Sequence, residues 1–139
     1  MKLLITGATG LIGSSIVEQA LNNKIEVHYL TTRKNKLNTI LGAMGFLWNP
    51  SIQEIDNQCF EGVDTIIHLA GSNISKKWTP KNKKEIFDSR INSTQVLKKG
   101  IEESGKGKIK TIICASAIGC LLYTSDAADE GLGVDLGGR

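Results

Sequence analysis

Aromatic side chains are scarce: three Phe, two Trp and two Tyr in 139 residues. Aliphatic residues are therefore expected to fill most of the core. Cysteine is scarce too. Cys59, Cys114 and Cys120 match neither a metal-ligand spacing nor an even disulfide framework. They read as small buried or half-buried thiols, and no metal site is expected. No apolar run approaches the ~18 residues that a membrane span needs. At the N-terminus Lys2 is followed by a short run, Leu3 to Ile5, and then by glycine, which is not the pattern of a secretory signal. These absences argue against a membrane partner and make the cytoplasm the expected compartment. What remains is 40% hydrophobic and 22% charged, the balance of a globular chain with at most one domain.

The net charge of +3 is small but unevenly spread. Residues 120–139 hold Asp126, Asp129, Glu130, Asp135 and Arg139, a net of −3, whereas residues 1–119 hold 16 basic and 10 acidic side chains, a net of +6. Lysines cluster at Lys76/Lys77, Lys81/Lys83/Lys84, Lys98/Lys99 and Lys106/Lys108/Lys110. No aromatic residues interleave them as a single-strand binder requires. They read as a solvated helix face and turns rather than as a nucleic-acid surface.

Apolar periodicity divides residues 1–119 into alternating strands and helices. Lys2–Thr6 reads as a short buried strand. After a glycine-rich turn, Ile12, Ile16, Val17, Ala20 and Leu21 recur at helical spacing, and Asn22-Asn23 stops the helix. Ile25–Leu30 is a second strand. Lys34–Leu41 is expected as a short amphipathic helix, residues 42–50 as irregular with a brief strand at Phe46–Trp48, and Ile52–Phe60 as a weak helix. Thr65–Leu69 is a β-branched strand. Thr79 followed by Pro80 marks a helix start, a capping hydroxyl and then proline at the first helical position. That helix should run to about Glu103, with Ile86, Phe87, Ile91, Val96, Leu97 and Ile101 facing inward. Lys110–Ala115 is a further buried strand. The alternation predicts an α/β fold, a doubly wound parallel sheet of strand order 3-2-1-4-5.

The stretch "TGATGLIG", Thr6–Gly13, lies between the first strand and the first helix, with Gly7, Gly10 and Gly13 spaced G-x-x-G-x-x-G. Gly7 permits the tight turn, Gly10 lets a pyrophosphate approach the backbone, and Gly13 lets the helix pack closely. The turn around Thr9 and the amides at Leu11 and Ile12 would meet the phosphates, where the helix dipole favours negative charge. Dinucleotide binding is the expected role. The second strand runs out as "HYLTTRKNK", with no carboxylate for a ribose 2′-hydroxyl. Arg33, with Lys34 behind it, suits the 2′-phosphate of NADP instead, so NADP(H) is favoured over NAD(H). Leu69, Ala70 and Gly71 leave the fourth strand where the cofactor would cross the sheet edge, contacting it through backbone. His28 and His68 are expected to be structural. Ser116, in "CASAIG", would stand at the carboxyl edge of the fifth strand, placed to hydrogen-bond a substrate oxygen during hydride transfer.

Several blocks together, "MKLLITGATGLIGSSIVEQAL", "TTRKNK", "W-NP", "FEGVDTIIHLAGSNISKKWTPKNKKEIFDSRINSTQVL" and "ASAIG", resemble the epimerase subgroup of the atypical/extended short-chain dehydrogenase/reductase family. The resemblance covers residues 1–119. It implies the N-terminal part of a Rossmann-like NAD(P)-binding domain, truncated after the fifth strand. It also implies hydride transfer at an oxygen-bearing carbon of a small-molecule substrate, with nucleotide sugars among the candidates. In the family a serine or threonine polarises the oxygen, and a tyrosine moves the proton with help from a lysine four residues later. Ser116 falls on the first of these positions. The Tyr-x-x-x-Lys pair is absent, since Tyr29 is followed by Arg33 and Tyr123 by Ala127. An NADP(H)-sensing module without catalysis stands as one alternative, and an inactive sequencing-artefact fragment as another.

Beyond Gly119 the pattern stops. Cys120–Arg139 has no lysine, no amphipathic period and four glycines in its last nine residues. "CLLYTSDAADE" and "VDLGGR" resemble, in order, translations of adapter DNA used to prepare sequencing libraries. The stretch is expected to be a non-native tail and is set apart from the fold. On this reading the chain is an inactive fragment of a longer enzyme.

Overall fold

A computed structural model describes residues 1–104 and 108–115. Ser116 lies outside the described residues, as does the 120–139 tail, for which the sequence predicts disorder. The elements are β1 (Lys2–Thr6), α1 (Leu11–Asn22), β2 (Glu26–Thr31), β3 (Ala43–Asn49), β4 (Glu54–Ile55), β5 (Thr65–His68), α2 (Pro80–Glu103) and β6 (Thr111–Cys114). They form one six-stranded sheet in the order β4-β3-β2-β1-β5-β6. The five longer strands are parallel, in the doubly wound arrangement expected. The order differs in detail because the two-residue β4 adds antiparallel to the edge of β3.

Alternation along β1 explains how one short strand serves two layers. Leu3 and Ile5 point toward α1, packing with Val17, Ala20, Val27 and Tyr29. Leu4 points the other way, into a cluster with Phe46, Trp48, Phe60, Ile66, Val96 and Leu97 under α2. Burial on both faces is what holds a parallel sheet together. Aromatic residues are few but central: Tyr29, Phe46, Trp48 and Phe60 are all buried, so the core is less purely aliphatic than composition suggests.

Three local expectations are corrected. Lys34–Leu41 makes only one 3₁₀ turn, Lys34–Lys36. The buried Tyr29 hydroxyl donates to the Lys36 and Leu37 carbonyls, both 2.7 Å away, and so engages the groups a longer helix would use. Residues 43–49 form a full strand rather than a brief one. Gly45 permits it, because a Cβ there would lie 2.3 Å from the Leu37 carbonyl oxygen and 2.7 Å from the Tyr29 ring. Ile52–Phe60 is not a helix. Gln53 takes a left-handed conformation (φ 56°), Glu54–Ile55 pairs with β3, and Asp56 caps a 3₁₀ turn by accepting from the Gln58 amide.

The long helix starts as read, with Thr79 Oγ1 accepting from the Asn82 amide at 3.2 Å and Pro80 in the first turn. Its buried stripe is Ser93, Val96, Leu97 and Gly100. Phe87 and Ile91 are exposed, contrary to expectation. Gly100 is needed where α2 crosses Phe60, since a Cβ would meet the ring at 2.4 Å. No helix among the described residues is long and apolar enough to cross a membrane.

Candidate functional site

The carboxyl ends of β1, β2 and β5 meet at the middle of the sheet, and the glycine turn lies over them. Gly7 has φ 73°, which L side chains rarely adopt, and a Cβ on it would sit 3.2 Å from Ala70 N. The turn therefore rests directly on the exit of β5. Gly13 is tighter still: a Cβ would fall 2.2 Å from the Gly7 carbonyl oxygen. Its close approach is thus to the turn itself rather than to the sheet. Gly10 differs, because a Cβ there would meet only the Gly7 carbonyl oxygen, at 3.3 Å. Outside Gly10 the surface is open, which suits a ligand pressed against the backbone.

Gly10 also begins α1 without a side-chain cap. The first intrahelical bond runs from the Ser14 amide to the Gly10 carbonyl, 2.9 Å. The amides of Leu11, Ile12 and Gly13 precede it and have no acceptor within the helix. Leu11 and Ile12 expose their side chains there.

A cleft of ≈ 290 Å³ joins the turn to the end of β2; Gly7, Thr9, Arg33, Ala70 and Gly71 line it. Leu69 lies just behind, its amide held by the Thr6 hydroxyl oxygen at 3.0 Å and its side chain packed toward α1. Sequence reasoning assigned no role to Lys36 or Trp48, which also border the cleft. Both stand in quoted blocks, "TTRKNK" and "W-NP", so the signal was present without a role attached. Lys34, expected behind Arg33, instead faces a larger neighbouring groove of ≈ 570 Å³ along β3, β4 and α2. That groove mixes Lys34 and Lys99 with Glu54, Asp56 and Glu103 and has no glycine turn. The smaller cleft has no acidic residue in its lining, so it is the one suited to a polyanion.

The residues at the cleft fit a dinucleotide in shape and charge: an open glycine surface, unpartnered helix amides and two cations. The sequence model of the NAD dependent epimerase/dehydratase family matches residues 3–128. The chain belongs to that family. An epimerase family protein of Mycobacterium leprae is 33% identical over 123 residues, which are 88% of this chain and 38% of that protein. Among solved structures, the nucleoside-diphosphate sugar epimerase from Corynebacterium glutamicum is similar at TM-score 0.64 and 27% identity, covering 86% of this chain and 23% of that one. The human epimerase family protein SDR39U1, solved with NADPH, shares the fold at TM-score 0.61 and 22% identity, covering 85% of this chain and 37% of that one. This epimerase/dehydratase-family chain thus spans well under half the length of the relatives it matches. The family match crosses Gly119 and ends at residue 128.

Ser116 lies outside the described residues. His28 is buried; its Nδ1 donates to the Cys59 carbonyl at 2.8 Å, and its ring packs on Phe46. Cys59 is buried, which pushes its thiol well above the usual range and leaves it an inert packing group. Tyr29 is fully buried and its hydroxyl is engaged by backbone, so it cannot serve as a proton relay. No cluster of potential metal ligands occurs among the described residues.

Proposed function

We propose that this chain is the nicotinamide-dinucleotide-binding part of an epimerase/dehydratase-type oxidoreductase, and that it prefers NADP(H). One observation carries the reading: the cleft beside the glycine turn holds Arg33 and Lys36 and no acid. The phosphates would lie on Gly7, Thr9 and Gly10 and on the amides of Leu11, Ile12 and Gly13. Arg33 would fork onto a 2′-phosphate, with Lys36 as a second cation. Leu69, Ala70 and Gly71 would meet the cofactor through backbone. When bound, the nicotinamide supplies or accepts hydride. Ser116 would polarise the substrate oxygen. The nucleoside-diphosphate sugar epimerase from C. glutamicum and the NADPH-bound human relative support a nucleotide-sugar substrate and this cofactor class.

The test is a calorimetric titration of NADPH and NADH into the wild type and Arg33→Ala. A charged hydrogen bond contributes about 1.5–3 kcal/mol. NADPH should therefore bind the wild type more tightly than NADH does, and Arg33→Ala should weaken NADPH by about 10–100-fold while sparing NADH. Tighter NADH binding, with no effect of Arg33→Ala, would overturn the preference.

A second reading, a binding module that senses NADP(H) without catalysis, predicts a full-length reading frame with no Tyr-x-x-x-Lys pair. A full-length reading frame that supplies the pair, together with measured turnover, removes it. Residues 120–139 are kept out of the site on the proposal that they translate adapter DNA. Source codons unlike the adapter would retire that proposal.

A further inference from the structure

His68 ends β5 on the α2 side of the sheet, only 8% exposed, beside Thr6 of β1. Thr6 is fully buried, and its hydroxyl oxygen accepts from the Ala70 amide and from the Leu69 amide, each at 3.0 Å, the Leu69 amide being shared with the Thr6 carbonyl at 3.2 Å. Both lone pairs are then used. The hydroxyl proton has one direction left, toward His68 Nδ1 at 2.7 Å. Nδ1 must accept, so the neutral ring carries its proton on Nε2. That nitrogen faces Ser93 Oγ at 3.3 Å and Thr94 Oγ1 at 3.4 Å. Both hydroxyls donate to the Arg90 carbonyl, at 3.0 and 2.8 Å, which leaves their oxygens free to accept from Nε2–H. Every proton of the circuit has an acceptor. Burial also holds the imidazole below its ordinary pKa, in keeping with a neutral ring.

The two amides fixed by Thr6 belong to the segment on which the glycine turn rests. A Cβ on Gly7 would approach Ala70 N and Leu69 C to 3.2 Å, so the turn cannot settle differently without moving that segment. The same segment is tied to α2 at Ser72, whose amide donates to Ser89 Oγ at 3.0 Å. We propose that His68 is a positioning residue for the dinucleotide site: as the Nε2–H tautomer it orients the Thr6 hydroxyl, which holds Leu69 and Ala70 under the glycine turn, and it anchors that assembly to Ser93 and Thr94 of α2. This rests on the cofactor reading above.

The two histidines give the test an internal control. His28 Nδ1 faces a carbonyl and must donate, so His28 should be the opposite tautomer. Nitrogen NMR of the ¹⁵N-histidine-labelled 139-residue chain at neutral pH should show one ring protonated at Nδ1 and one at Nε2, the latter assigned to His68 by its loss in His68→Asn. A His68 ring protonated at Nδ1 would overturn the proposal without any functional measurement. NADPH titrations then compare His68→Phe, which removes the acceptor, with His68→Asn, whose Oδ1 restores one near Nδ1. His68→Phe should weaken binding at least about tenfold, corrected for the folded fraction, and His68→Asn should recover most of it. If His68→Phe does not fold, Thr6→Val against Thr6→Ser makes the same comparison. A folded His68→Phe that binds like the wild type overturns the positioning role alone. A wild type that binds neither NADPH nor NADH overturns the cofactor reading beneath it.

Discussion

On the β3-β2-β1 side of the sheet both faces are covered, whereas among the described residues neither face is covered around β6. Leu4 and Ile5 are neighbours in β1 that point to opposite faces, and both are completely buried. Ile112 and Ile113 are the corresponding neighbours in β6, and they are 52% and 51% exposed. The sequences are alike, "LLIT" against "TIIC", each the continuous apolar run of a strand written for burial on two faces. The difference lies in what is packed on them. An apolar slot of ≈ 250 Å³ between α2 and β6, lined by Ile66, Leu97, Ile101 and Ile112, marks the uncovered side. The glycine turn and Arg33 belong to the covered side, and the end of β5 stands at its border. The part that would hold a dinucleotide is thus built mainly on covered elements, with β5, which pairs with β6 along its other edge, at the boundary.

That contrast can be broken by substitution. Ile5→Ala should cost about 2–5 kcal/mol in denaturant unfolding, the range for emptying a close-packed site. Ile113→Ala should cost no more than about 0.5 kcal/mol, as for an exposed position. Equal costs would mean that β6 is covered in solution. Gly13→Ala should cost about 1–3 kcal/mol despite a helix-propensity gain of about 1, because backbone rather than a movable side chain meets the new Cβ. It should abolish NADPH binding as the turn shifts.

A smaller effect follows from His68, which sits at the border between the two sides. Its folded-state pKa lies below the ordinary 6.5. The unfolded chain therefore binds the proton more readily, and the stability carried by the neutral ring is complete above pH 6.5 and lost as pH falls toward the lowered value. The thermal midpoint should rise with pH across that window, and His68→Asn should flatten the rise. Thr6, Ser93 and Thr94 face the ring directly, and Lys98, Glu102 and Cys114 border the same slot. Glu26 and Glu85, held below the usual carboxylate range by hydrogen bonds from Lys2 and Lys76, lose their contribution only below about pH 4.5, whereas the loss from His68 begins at pH 6.5.

The elements legible in the sequence are those whose signals are local. β1, α1 and β5 show apolar periodicity, and α2 announces itself by Thr79-Pro80. β3 was only partly legible because Met44 and Gly45 do not look like strand residues. It exists because β2 pairs with it and because a missing side chain at Gly45 admits Leu37 and Tyr29. The false helix at 34–41 failed for a related reason, since the Tyr29 hydroxyl that engages its carbonyls comes from the preceding strand. The site follows the same rule. The glycine spacing and Arg33 can be read along the chain. Thr6 and His68 stand 62 residues apart, and nothing in either segment says that their side chains meet.

The central claim is that the covered side of the sheet holds a nicotinamide dinucleotide. Its most direct test is an NADPH titration of the ¹⁵N-labelled chain, followed amide by amide. Saturable shifts should concentrate at Gly7 to Gly13, Arg33, Lys36, Ala70 and Gly71, with Ile112 and Ile113 unmoved. An absence of saturable shifts, or shifts centred on β6 and its apolar slot, would contradict the account.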